Sequence, residues 1–138
     1  MSDKLIKLKV VTPTRVFFEG EVKSFIVKTK GEVGEFAILA DHAPITASVG
    51  LGTLILEMPD GSKKENSLFG GYAVVQNNRA VLLAESAEWP EEIDRERAER
   101  SKERAEERLK KEQIDVARAR ASLARALVRL SLADRIKK

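Results

Sequence analysis

The chain reads as an α+β protein, with a β-rich module up to Pro90 followed by an antiparallel helical hairpin. Two observations carry this reading. All eight glycines lie at or before Gly71, all four prolines at or before Pro90, and all seven aromatics between Phe17 and Trp89. Gly and Pro punctuate turns and break helices, so their disappearance marks a change of architecture. The charge divides at the same place: residues 1–90 carry 10 basic and 11 acidic side chains, and residues 91–138 carry 15 and 11. The two balances, −1 and +4, make up the net charge of +3. The expected domains are therefore 1–90 and 91–138.

The strands follow from short apolar runs between turn signals. Ile6, Leu8 and Val10 alternate with Lys7 and Lys9, a period of two that suits a half-buried strand. Val22–Lys30 is rich in β-branched and aromatic residues and ends at Gly31. Phe36–Leu39 reads as a short buried run. Thr53–Met58 ends at Pro59-Asp60-Gly61, where Pro sets φ and Gly accepts positive φ. Leu68-Phe69 runs into Gly70-Gly71. Tyr72–Gln76 and Arg79–Ala84 flank Asn77-Asn78, a tight-hairpin signal. Many short strands with frequent turns predict a sandwich or barrel.

Beyond Pro90 the period changes. Asp94 is placed to cap a first helix, on which Ala98, Ser101, Ala105 and Leu109 form a thin stripe. Charged pairs such as Glu96–Arg100 and Glu106–Lys110 suit the rest of its surface, each worth about 0.2–0.5 kcal/mol. Lys110–Gln113 interrupts the stripe, and Asp115 offers a second cap. Val116, Ala119, Leu123, Ala126, Leu127, Leu130 and Ala133 then mark one apolar face. A short connection favours antiparallel packing.

Composition removes several function classes. With no cysteine and one histidine, disulfides and thiolate metal sites are excluded, and His42 alone makes no zinc site. Met1–Val10 has lysines throughout and no apolar core, so no signal peptide is expected. The charge-free run His42–Leu56 is too short to span a bilayer. No G-x-x-x-x-G-K-[ST] loop occurs, and Gly50-Leu51-Gly52 lacks the third glycine of a dinucleotide fingerprint. Glu19/Glu21 and Glu32/Glu35 sit beside glycines and read as solvated turn carboxylates rather than acid–base pairs. Asp41 and His42 lack a nucleophile and read as loop residues. No catalytic residue is assigned.

One constellation remains. Arg118, Ser122, Arg125 and Arg129 fall at steps of four, three and four, hence on one face of the second helix. Arginine is the residue for bidentate contact with phosphate or carboxylate. The alternative is a solvated face paired with acids such as Glu99 or Glu103 across the hairpin.

Together the motifs resemble the epsilon subunit of bacterial F-type ATP synthases. Gly34–Pro44 is similar to that family's G-x-x-G-I-L-P-x-H-x-P loop, departing at Ala37 for Gly and at Ala40-Asp41 for Pro-Gly. Phe69–Val75 resembles its G-G-F/Y strand, Val10–Pro13 its opening strand, and Arg125–Leu130 its closing helix. The resemblance implies a ten-stranded sandwich at the foot of the rotating central stalk, against the gamma subunit and the c-ring. It further implies a hairpin that folds down or extends into the alpha/beta catalytic head and inhibits ATP hydrolysis. The subunit would be non-catalytic and peripheral, on the cytoplasmic face of the cell membrane, reaching the membrane only through the complex.

A sharper match is Ile93-Asp94-Arg95-Glu96-Arg97-Ala98, which fits the I/L-D-x-x-R-A motif of epsilon subunits that bind ATP. The resemblance implies that Arg125 and Arg129 assist, with Glu88 ahead of the first helix. ATP is thus the expected regulatory ligand, with no obligatory cofactor and no metal. Antiparallel packing would bring Arg97 towards Arg125 and Arg129, with Asp94 facing the base or simply capping its helix. The rival class is a stand-alone nucleic-acid-binding β module with a basic tail. Such a module wants aromatics among its basic residues, and residues 91–138 contain none, so no nucleic-acid partner is expected.

Overall fold

The structure, a computed structural model, describes residues 4–28, 34–110 and 116–135. It contains two compact units, Met1–Glu88 and Trp89–Lys138.

The first unit is a sandwich of ten strands: β1 Ile6–Val11, β2 Val16–Val22, β3 Ser24–Lys28, β4 Glu35–Leu39, β5 Ile45–Ser48, β6 Leu51–Glu57, β7 Lys63–Phe69, β8 Tyr72–Gln76, β9 Arg79–Leu83 and β10 Ser86–Glu88. One sheet runs β2-β1-β9-β8-β5 and the other β10-β7-β6-β3-β4. All pairings are antiparallel except β1 with β9, which places Lys7 beside Arg79, Lys9 beside Val81 and Val11 beside Leu83. Alternation explains the core: Ile6, Leu8, Val10, Phe25, Val27, Leu54, Leu56, Val75 and Leu82 are buried while their neighbours along the strands point outward.

The turns carry the backbone signals. Asn77 and Asn78 join β8 to β9 with φ of 54° and 58°, the left-handed pair that a two-residue hairpin turn needs. Gly70 and Gly71 also have positive φ, and a Cβ on Gly71 would lie 1.7 Å from the Leu83 carbonyl oxygen. At this corner the chain passes from β7 in one sheet to β8 in the other, and only glycine fits.

Two sequence expectations change here. Phe36–Leu39, expected to be buried, forms β4 at a sheet edge, where only Ile38 is buried and Leu39 is exposed. An edge strand leaves one flank to solvent, so an apolar run there need not be core. Glu19 and Glu21 are exposed strand residues opposite Lys9 and Lys7, not turn carboxylates. The strands β2, β5 and most of β7 were not signalled by the apolar pattern.

The second unit starts with a 3-10 turn, Pro90–Glu92, followed by α1 Arg95–Leu109 and α2 Val116–Arg135. Asp94 caps α1, accepting from the Arg97 N–H at 3.1 Å. Ala98 and Ala105 are its buried residues, and those of α2 are Ala119, Ala126, Leu130, Leu132 and Ala133. A methyl-sized contact contributes only about 0.8 kcal/mol, so the alanine seam holds the pair weakly. Arg95 Nε donates to Asp134 Oδ1 at 2.6 Å, tying the start of α1 to the end of α2. The pairs Glu96–Arg100 and Glu106–Lys110 are not among the ion pairs of the described residues. Asp115, the expected second cap, lies outside those residues.

Candidate functional site between the two helices

The antiparallel register decides which side chains meet. Counting inward from Arg95 against Asp134 puts Ser101 close to the level of Arg129, Arg104 at Arg125, and Arg108 close to Ser122. These six residues, with Ala105, line a hollow of about 340 Å³. That lies within the size range of small-molecule sites, at its lower end. The Ser101 hydroxyl accepts from Arg104 Nη2 at 3.2 Å, which orients that guanidinium.

The first-helix half of this site escaped the sequence reading, although its signal is present. Arg97, Ser101, Arg104 and Arg108 have the same R-x3-S-x2-R-x3-R spacing as Arg118, Ser122, Arg125 and Arg129. Each helix therefore carries three arginines and a serine on one face. Running antiparallel, the two sets overlap only over their inner members. Arg97 lies a turn short of the hollow on α1, and Arg118, exposed near the start of α2, lies beyond its other end. No ion pair joins Glu99 or Glu103 to the α2 arginines among the described residues. Such a cluster has the chemistry of a polyanion site: guanidiniums offer forked donors and serines offer hydroxyls.

The remaining candidates sit elsewhere. Ile93 is half-buried and donates its N–H to the Pro90 carbonyl at 3.2 Å. Asp94 is engaged as the cap. Glu88 ends the β unit, and its N–H donates to Ser67 Oγ at 3.0 Å. His42 Nδ1 lies 2.6 Å from the Ala43 carbonyl. The Asp41 carboxylate turns to Lys4 and Asn78, which hold its pKa below the usual carboxylate range, the Lys4 hydrogen bond first. It is not aimed at His42 as a triad would require. Among the described residues no three His, Asp or Glu side chains gather as metal ligands.

The beta-sandwich domain of the delta/epsilon chain of ATP synthase matches residues 5–90, and its long alpha-helix domain matches residues 91–134. The chain belongs to this family. It is 44% identical over 130 residues to the ATP synthase epsilon chain of Caldicellulosiruptor bescii, covering 93% of each chain. It is 41% identical over 109 residues to the sodium ion specific epsilon chain of Acetobacterium woodii, covering 79% of this chain and 80% of that one. The fold is similar to a chain of the Euglena gracilis mitochondrial ATP synthase, with a TM-score of 0.75 at 22% identity, covering 94% of this chain and 81% of that chain. Family membership accounts for the paired architecture. The Gly70-Gly71 corner and the His42 loop lie in two of the segments that carried the sequence resemblance. At Asp41, just before His42, φ is +64°, a left-handed turn conformation that aspartate tolerates better than most residues.

Proposed function

We propose that this chain is the epsilon subunit of an ATP synthase, a non-catalytic part of the central stalk. In this reading the sandwich binds the gamma subunit and the c-ring, and thereby helps couple ion flow to ATP synthesis. The hairpin regulates: extended towards the alpha/beta head it inhibits ATP hydrolysis, and folded it binds ATP. The subunit is peripheral on the cytoplasmic face of the cell membrane, and no helix among the described residues is long and apolar enough to cross a bilayer.

The observation that carries the regulatory part is the hollow with Arg104, Arg108, Arg125 and Arg129 on its walls. Four guanidiniums suit a triphosphate, whose charge is spread over several oxygens. Arg97 stands two helical turns from Arg104, about 10 Å along the axis. An extended nucleotide spans that length, with the phosphates in the hollow and the adenosine towards Asp94 and Arg97. The weak alanine seam suits a hairpin that must also open. Titration calorimetry of ATP into the isolated chain tests this. Saturable heat and a raised melting temperature support ATP binding. Neither effect at millimolar ATP removes it and leaves regulation to protein contacts alone.

A further inference from the structure

Among the aspartates and asparagines of the chain, only Asp60 is followed by glycine. The Asp60-Gly61 pair sits in the turn between β6 and β7, where every residue from Pro59 to Lys64 is exposed. Gly61 has φ of +89°, and a Cβ placed on it would meet nothing within 4 Å. The Gly61 nitrogen is therefore unshielded by any side chain of its own, and the space beside it is open to water.

This pairing has a chemistry of its own. The Gly61 nitrogen can attack Asp60 Cγ: a C–N bond forms and a Cγ–O bond breaks. The departing oxygen leaves as water, carrying the Gly61 amide proton and the proton of the carboxylic acid. The product is a cyclic succinimide. Solvent water then opens the ring at either carbonyl. Opening at Cγ restores aspartate. Opening at the main-chain carbonyl carbon leaves Gly61 joined through the side chain, which is isoaspartate. Water is lost and regained, and no oxidant or cofactor takes part.

The folded turn holds both reacting groups away from this path. Asp60 Oδ1 accepts from the Ser62 hydroxyl at 2.6 Å and from the Ser62 N–H at 2.9 Å. The Gly61 N–H donates to the Met58 carbonyl at 2.9 Å, and the Met58 N–H donates to the Ser62 carbonyl at 2.8 Å. Ring closure requires the carboxyl group to leave Ser62 and take up a proton, and the Gly61 nitrogen to leave Met58. The Ser62 bonds favour the ionised carboxylate and so hold the Asp60 pKa below its usual value, the hydroxyl first. The reactive form is the neutral acid. Of these bonds, only the one from the Ser62 hydroxyl is donated by a side chain.

We propose that Asp60-Gly61 is the site at which this chain forms a succinimide and isomerises to isoaspartate, and that the Ser62 hydroxyl restrains the reaction in the folded sandwich. Isoaspartate lengthens the main chain by one methylene and frees a carboxylate at the hairpin tip. The bonds that close the turn between Met58 and Ser62 then span one more atom, so the damage falls on the end of the β6–β7 pairing.

The test incubates the full chain in warm neutral buffer below its melting temperature. Proteolytic peptides are then resolved by chromatography and mass spectrometry, in which isoaspartate changes retention at unchanged mass. In wild type the first isoaspartate is expected at position 60. Ser62→Ala is expected to accelerate it at least about tenfold, the ratio that one hydrogen bond to a charged group supplies. In denaturing urea wild type and Ser62→Ala should convert at one common rate, faster than folded wild type. Asp60→Glu should give none at this position. Val75→Ala, which removes buried methyl groups from the other sheet, should lower the melting temperature and leave the rate unchanged. The proposal is overturned if folded Ser62→Ala reacts at the wild-type rate, or if the same acceleration persists in urea. It is equally overturned if Val75→Ala accelerates the reaction as much as Ser62→Ala, or if isoaspartate arises first at another residue.

Discussion

Asp41 and Asn78 exchange two hydrogen bonds across 37 residues of sequence: the Asp41 N–H donates to Asn78 Oδ1, and Asn78 Nδ2 donates to Asp41 Oδ1 at 3.0 Å. Lys4 Nζ closes the group at 2.9 Å from Asp41 Oδ2. The loop after β4 is thereby tied to the β8–β9 turn, and Asp41 holds a left-handed φ that most residues avoid. Replacing Asn78 by Gly, which removes the side chain but accepts the positive φ of the β8–β9 turn, is expected to loosen the 40–44 loop without unfolding the sandwich. Faster amide exchange confined to residues 40–44 checks this, and uniform exchange across β1 to β9 would contradict it.

The same contacts make a pH dependence with a definite sign. The folded-state pKa of Asp41 is lowered by Lys4 and then Asn78, and that of Asp60 by the Ser62 hydroxyl and then its N–H. A lowered carboxylate pKa stabilises the folded state above the unfolded value near 3.8, and the contribution is lost as pH falls through the folded value. Both groups are exposed, so the effect is small and weakened by salt. Melting temperatures between pH 2 and pH 5 should show an acid-side loss that is smaller in the Asp41→Asn, Asp60→Asn variant than in wild type.

Gly71→Ala is expected to destabilise the sandwich strongly. The added Cβ would lie 1.7 Å from a backbone oxygen at a φ of +110°, and backbone cannot step aside as a side-chain tip can. A loss above about 3 kcal/mol is expected, against a few tenths for Gly61→Ala in open space plus its φ penalty of about 1 kcal/mol. Urea unfolding of the two variants gives the comparison.

Residues 1–90 are expected to fold alone and residues 91–138 to be largely unfolded alone. Nearly all large buried side chains lie in the first fragment, whereas α1 buries only Ala98 and Ala105. Isolated helices shorter than about 12–15 residues are marginal in water, and α1, with 15, stands at that limit with little apolar surface to bury. Circular dichroism of both fragments decides, and a cooperative helical melt of 91–138 at low concentration would contradict the expectation.

Arg104→Ala and Arg108→Ala should weaken ATP binding as much as Arg125→Ala and Arg129→Ala, about ten- to a hundredfold each. All four line the hollow, while Arg97 and Arg118 do not. Replacing Arg118, Arg125 and Arg129 together by Ala should relieve inhibition of ATP hydrolysis in the assembled enzyme. Deleting residues 91–138 should do the same with the subunit still bound. An Arg97→Ala loss larger than that of Arg104→Ala would place the phosphates nearer the start of α1.

Local chemistry was enough for much of this protein. Asn77-Asn78 specified its turn because asparagine tolerates positive φ, and Asp94 specified a helix start because its carboxylate reaches the third helical N–H. The alternation of Ile6, Leu8 and Val10 placed β1 with one face in the core, and the loss of Gly and Pro after Pro90 marked the helices. The α2 arginine row was legible as well, since helical spacing alone puts it on one face. What tertiary structure decided is everything that depends on a partner distant in sequence. Phe36–Leu39 is apolar like a core strand, but its place at the sheet edge leaves Leu39 in solvent. Tyr72, Val74, Val81 and Leu83 looked like ordinary strand residues until β8 and β9 were set beside β1 on one outward face. The hollow needed the antiparallel register set by Arg95 and Asp134, which slides two identical spacings past each other and selects their inner arginines. Periodicity reports which face a residue occupies on its own element, whereas register between elements is set by contacts that no local window contains.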